Sequence, residues 1–189
     1  MRVIGIVAEY NPFHTGHQYQ ISESRRAVGG EAGVVAVMSG NWVQQAGCAI
    51  TDKWNRARLA LMGGVDLVLE LPTVWAVSSA ESFAQGAVDL LEATGVVDVL
   101  SFGSECGEAD RLRQVAACLN SPVYEAGVRR FVDEGMPFAA ARQEAVREIL
   151  GAEYSELLST PNNNLGVEYL RALDRLGSAI RPVTVRREG

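Results

Sequence analysis

Apolar residues run almost unbroken through RVIGIVA (2–8), GVVAVMS (33–39), VDLVLEL (65–71) and VDVLSFG (97–103). Runs of this length and continuity describe strands covered on both faces, as in a parallel sheet. Each is followed by a stretch in which apolar positions recur at three- and four-residue spacing, the mark of an amphipathic helix. The first predicted helix spans about 16–27. The second, DKWNRARLALM (52–62), has Thr51 as its candidate cap and Trp54, Ala57 and Leu61 on one face. AESFAQGAVDLLEA (80–93) is the third, opened by Ser78 or Ser79. Strand, helix, strand in alternation predicts an α/β domain with a five-stranded parallel sheet flanked by helices.

After the fourth strand the pattern changes. From about 107 to 158 only helical periodicity is found, in EADRLRQVAACL, VYEAGVRRFVDEG and PFAAARQEAVREILG, a helical insertion after the fourth strand. NNLGVEYLRALDRLG (163–177) is a further helix with Asn162 or Asn163 as its cap, and AIRPVTV (179–185) is the fifth strand. A sheet that closes on a bare edge strand followed by charged residues leads us to expect a continuation of the natural protein beyond these residues.

Composition narrows the class. The 189 residues suit one compact domain with a sizeable core. A net charge of −6 argues against this segment being the main grip on a nucleic-acid backbone, which normally shows a basic stripe. Only RPVTVRREG at the end is locally basic. Three unclustered cysteines, Cys48, Cys106 and Cys118, suggest neither a disulfide framework nor a Cys-x-x-Cys metal site, and reduced thiols in a cytoplasmic protein are expected. The most apolar stretch, VDLVLELPTVWAV, is interrupted by Asp66, Glu70 and Pro72, so no membrane span is expected.

The chemistry concentrates at the first strand–helix turn, VAEYNPFHTGHQYQ (7–20), which holds both histidines of the chain. In open parallel sheets this turn is the usual anion site, because free N–H groups and the positive helix end face the ligand. Gly16 permits close backbone approach, and His14 and His17, one turn apart, can both donate to phosphoryl oxygens. The spacing is neither Walker A nor Gly-x-Gly-x-x-Gly. Two surface histidines in a loop, or one of them capping the helix, would account for the same residues.

Other candidates surround it in the predicted topology. Ser39, Gly40 and Asn41 follow the second strand and can shape a pocket floor. Lys53 and Arg56, three apart on the next helix, can meet polyphosphate. Gly103 lets a flat ring lie against backbone, with Ser104 and Glu105 as polar contacts. Arg186 and Arg187 alternate at the end of the fifth strand, so one of them should face the pocket. Trp42, Trp54, Trp75 and Phe83 read as core or pocket lining. Two histidines are too few for a zinc enzyme of the usual kind, so no protein-bound metal is expected.

His-x-Gly-His after the first strand resembles the nucleotidyltransferase superfamily. With AEYNPFHTGH, VMSGNWVQ, DKWNRARLAL, GVDLVLELP, AVSSAESFAQGAV, FGSE and PNNNLGVEYL in that order, the whole chain resembles the bacterial tRNA(Met) cytidine acetate ligases. The resemblance implies a Rossmann-like nucleotidyltransferase fold and a two-step reaction. ATP and acetate give acetyl-adenylate and pyrophosphate, and the acetyl group passes to N4 of the wobble cytidine of elongator tRNA(Met). It implies an ATP-binding segment of Val7, Ala8, Glu9, Tyr10, Asn11, Pro12, Phe13, His14, Thr15, Gly16, His17, Gln18, Tyr19 and Gln20. Gly103, Asn162 and Arg187 would add nucleotide contacts, and Mg²⁺ would bridge phosphate oxygens. Members of that family continue into a further segment with a Ser/Thr-rich Ile-Arg motif and tRNA-facing surface. A small-molecule adenylyltransferase, or a nucleotide- or RNA-binding module without catalysis, stays open beside this reading.

Overall fold

The computed structural model describes residues 1–44 and 47–187. Gln45 and Ala46, inside the stretch read as following the second strand, and Glu188 and Gly189, in the basic end, lie outside them. Five strands, β1 (Arg2–Ala8), β2 (Ala32–Ser39), β3 (Leu67–Leu71), β4 (Val99–Ser104) and β5 (Arg181–Arg186), form one sheet in the order β3-β2-β1-β4-β5. Every pairing is parallel. The order reverses at β1: the chain steps outward through β2 and β3, then returns to lay β4 on β1's other side. A crevice at the carboxyl ends of β1 and β4 follows from that reversal.

Helices cover both faces. On one lie α1 (Thr15–Ala27) and α2 (Lys53–Met62), packed over Ile4, Ile6, Val34, Ala36 and Met38. On the other lie α4 (Ala80–Ala93), after the short α3 (Thr73–Ala76), and α9 (Pro161–Leu176), over Val35, Val37, Leu100 and Phe102. Alternate residues of one strand therefore enter different cores, which is why the strands read as continuously apolar. The helical insertion is α5 (Ala109–Leu119), α6 (Pro122–Asp133), α7 (Phe138–Leu150), α8 (Ala152–Ser155) and a 3₁₀ turn (Glu156–Ser159).

Register is set at the amino edge by two aspartates. Asp66, just before β3, accepts from the Val34 N–H at 2.8 Å, and Asp98, just before β4, accepts from the Val3 N–H at 2.8 Å. Each ties the entry of one strand to its neighbour, and a one-residue slip would lose the bond as well as invert the faces.

Several local expectations are corrected. Asp52, not Thr51, caps α2, because its carboxylate reaches the N–H groups of Trp54 and Asn55. Ser79 rather than Ser78 caps α4. Neither Asn162 nor Asn163 caps α9: Pro161 is its first residue, so both asparagines fall inside the first turn. Although Ala57 does pack against the core, the face of α2 is rotated from the expected one. It buries Arg56 and Ala60, while Trp54 is 75% exposed and Leu61 47%. Of the four aromatics read as core or lining, Phe83 is buried, whereas Trp42, Trp54 and Trp75 reach the surface. Spacing alone ranks tryptophan above arginine for burial, and here hydrogen bonding reverses that order. No helix among the described residues is long and apolar enough to cross a membrane.

The helical layer hides a charged cluster. Glu168 of α9 is buried between Arg142 of α7 (2.5 Å) and Arg171 (2.9 Å), and Arg142 also reaches the Tyr124 hydroxyl at 3.2 Å. Removing Glu168 takes from the largely buried Arg142 and Arg171 the carboxylate they share. Glu168→Ala should therefore destabilise the fold by about 3–5 kcal/mol, measured as a fall in denaturation midpoint.

Candidate active site at the carboxyl edge of the sheet

Beyond Ala8 the chain leaves β1 and turns sharply. Tyr10 has φ 44°, the left-handed region that bulky residues avoid. Its ring is buried, 5.0 Å from Phe13 and 4.8 Å from His17 between centroids, so packing holds the unfavourable backbone. Burial pushes its phenol pKa up, and among the described residues the hydroxyl has no hydrogen-bond partner. The turn delivers His14 to the N-cap of α1.

There the two histidines cap the helix reciprocally. His14 Nδ1 accepts from the Gly16 N–H at 3.1 Å, and His17 Nδ1 accepts from the His14 N–H at 3.2 Å. The rings stack with centroids 3.8 Å apart. A neutral imidazole that accepts at Nδ1 carries its proton on Nε2. The capping alternative raised by the sequence is therefore correct for one nitrogen of each ring and leaves the other as a donor. Burial, then the charges of His14 and Arg187, hold His17 down at about 4. At neutral pH His17 is an uncharged donor.

The first turn of α1 contains no acidic residue, and an imidazole caps it. Its neighbours at this edge differ. Asp52 caps α2, and Asn41 Oδ1 also accepts from the Lys53 N–H. The Glu105 carboxylate takes the N–H groups of Asn162 (3.2 Å) and Asn163 (2.7 Å) at the start of α9, and Glu81 lies in the first turn of α4. Among these four helix ends, α1 keeps its positive end free of carboxylates, so an anion is drawn there.

The other candidate residues divide by role. Val7 and Ala8 end β1. The Glu9 carboxylate accepts from the Gln44 N–H at 2.7 Å, and Asn11 Oδ1 accepts from the Ile50 N–H at 2.7 Å, so both fasten the β2–α2 connection to the motif. Pro12 follows Asn11 through a cis peptide bond. Phe13 fills the space beside Gly63, where a Cβ would lie 2.3 Å from the ring. Gln18 and Tyr19, with Thr15, line a surface groove shared with Met62 and Gly64, while Gln20 donates to the Ser101 carbonyl at 3.3 Å.

Across the crevice Arg187 passes over Gly103, where a Cβ would meet its Cγ at 3.6 Å, and its charge is felt by His17. Arg186 packs instead against Gly107. Asn162 gives its side-chain amide to Glu105 at 2.7 Å, and Ser104 bonds Thr184 and the Gly107 N–H. Glu105 and Ser104 thus build the turn around Gly103. Ser39 is buried, and Asn41, at the surface, accepts from the Lys53 N–H beside the Asp52 cap of α2.

Lys53 and Arg56 part company. Lys53 Nζ pairs with Glu70 at 2.6 Å, near the end of β3. Arg56 is fully buried, its guanidinium spent on the carbonyls of Glu9, Ser39, Gly40 and Thr51. The expectation that Arg56 meets polyphosphate is corrected: every group it touches is backbone. The Glu70 partnership escaped the sequence reading, although a carboxylate near the end of an otherwise apolar strand was its signal.

The whole chain, residues 1–189, matches the family described as HIGH Nucleotidyl Transferase. This chain belongs to that family. Two relatives named tRNA(Met) cytidine acetate ligase illustrate its neighbourhood: that of Caldanaerobacter subterraneus is 47% identical, and that of Clostridium kluyveri 46%. Each alignment covers 100% of this chain and 48% of the relative. The crystal structure of Thermotoga maritima TmcAL bound with alpha-thio ATP matches with a TM-score of 0.95 at 41% identity, covering 100% of this chain and 47% of that one. The chain therefore spans about half the length of the relatives it matches.

The depressed His17 pKa fixes a sign for pH dependence. His17 is protonated near its ordinary 6.5 when unfolded but near 4 when folded, so its contribution is intact above 6.5 and lost as pH falls toward 4. Thermal midpoints should decline between pH 6.5 and 4.5. His17→Gln, which can still accept the His14 N–H as a capping-box glutamine does, should flatten that decline.

Proposed function

We propose that this chain is the ATP-binding, acetate-activating part of an ATP-dependent tRNA(Met) cytidine acetate ligase. One acetate oxygen bonds to the α-phosphorus of ATP as the bond to the β-phosphate bridge breaks, giving acetyl-adenylate and pyrophosphate. N4 of the wobble cytidine of elongator tRNA(Met) then bonds to the acetyl carbon, AMP departs, and the amine loses a proton. The observation that carries this reading is the pair of imidazole Nε2 donors at the carboxylate-free end of α1. The relatives' name and the ATP analogue in the Thermotoga structure support it.

In this reading His14 and His17 donate to the α-phosphate oxygens as charge accumulates there. A neutral His17 suits that task because it carries no charge for a carboxylate of the resting enzyme to pair with. Arg187 neutralises polyphosphate beside His17, and Lys53 does so from the α2 end, exchanging Glu70 for phosphate. Gly103 receives the adenine ring against backbone, and Glu105 holds Asn162 at the crevice rim. The residues of the ATP-binding segment thus serve either as donors or as the buttress behind them. Mg²⁺ fits as an ion carried in by the triphosphate, where it would neutralise phosphate charge. The described residues include no group of three or more His, Cys, Asp or Glu able to hold it. A tRNA substrate places the work in the cytoplasm.

The test is acetate-dependent exchange of labelled pyrophosphate into ATP. The chain should catalyse it, and His14→Ala or His17→Ala should lower the rate by about 10²–10³ while changing ATP affinity far less. Exchange that ignores acetate and requires a phosphorylated metabolite would replace this reading with a small-molecule adenylyltransferase.

A further inference from the structure

Arg56 is the largest of the fully buried side chains, and among the described residues no ion pair joins it. A guanidinium without water or a contacting carboxylate is costly unless its N–H groups are bonded. Here they are. Nε donates to the Thr51 carbonyl at 3.2 Å, Nη1 to Glu9, and Nη2 to Ser39 at 3.0 Å and to Gly40. These carbonyls belong to three separate stretches: the exit from β1, the exit from β2, and the approach to α2.

The Glu9 carbonyl matters most. It belongs to the peptide that enters Tyr10, the residue with φ 44° that swings the chain toward His14. Glu9 also fastens Gln44 through its carboxylate, and Asn11 fastens Ile50, so the same clasp controls where the β2–α2 connection sits against the motif. We propose that Arg56 is a positioning residue. It holds the peptide leading into the His14–His17 turn and the β2–α2 connection in one arrangement, so that α1 is aimed at the reacting phosphorus without Arg56 touching the nucleotide. This rests on the proposed acetate activation for its kinetic consequence, but not for its geometric one. Lysine cannot replace it, because a single ammonium with three donors cannot span a fork of acceptors on three segments.

The experiment compares wild type, Arg56→Lys and a stability control, Val115→Ala in α5, using the 189-residue chain. Arg56→Lys should lower the acetate-dependent exchange rate about 30- to 100-fold, with the ATP KM within about threefold, as misaimed groups do. By NMR, the His17 ring should titrate upward from about 4 toward 6.5 in Arg56→Lys and stay in place in Val115→Ala. A KM rise with unchanged turnover, an unmoved His17, or the same His17 shift in the control would overturn the proposal. A wild type without exchange would defeat the acetate reading alone, leaving the His17 titration to decide this one. Should Arg56→Lys fail to fold, the wild type still answers. Adding the ATP analogue alpha-thio ATP should leave the Arg56 Nε and Nη resonances in place, whereas coupling of them to phosphorus would refute the positioning role.

Discussion

The site depends on how two imidazoles divide their nitrogens. At the start of α1, both Nδ1 atoms are consumed by backbone N–H groups, which leaves both protons on Nε2. Capping and donation are usually weighed as rival roles for a histidine at a helix start. Here the first produces the second, because the hydrogen bond that caps the helix selects the tautomer. Burial, then the nearby charges of His14 and Arg187, keep His17 uncharged, so its Nε2 donates without a formal charge to be neutralised by nearby carboxylates.

Around this pair the carboxylates are distributed so as to leave α1 alone. Asp52 serves α2, Glu105 serves α9 and Glu81 lies in the first turn of α4. Glu70 neutralises Lys53, and the Glu9 carboxylate is occupied by the Gln44 N–H. An acidic chain can therefore still offer one strongly anion-seeking end, because local placement rather than net charge sets the field at the crevice. Arg187 reinforces it from the opposite side of the β1/β4 reversal.

The second face of this design is structural expenditure away from the chemistry. Arg56 sits in the interior with four backbone carbonyls as partners, and Tyr10 accepts an unfavourable backbone and a hydroxyl unpartnered among the described residues. Tyr10 lies in the turn that carries the histidines, and Arg56 reaches that turn from α2 through the Glu9 carbonyl. Strain and buried charge gathered beside a site are what a fold tolerates when it must hold a few atoms in place. The chain spans about half the length of the relatives it matches.

Much of this was legible in the residues themselves. Continuous apolar runs marked four of the five parallel strands, plainest for the inner β1, β2 and β4, where burial on both faces leaves no alternation to disguise them, and β1 has the boundaries read from sequence. The helical insertion and the His14–Gly16–His17 turn were equally plain, since both are local patterns. Partnerships across the fold were not. Nothing in DKWNRARLALM reveals that Arg56 is buried and Trp54 exposed, because that depends on carbonyls converging from β1 and β2, more than fifteen residues away in either case. Nor could PNNNLG show that Glu105 would cap α9 in place of its own asparagines. Local propensity and periodicity are written in neighbouring residues; which donor meets which acceptor is decided by the sheet order, and only the folded chain brings those groups together.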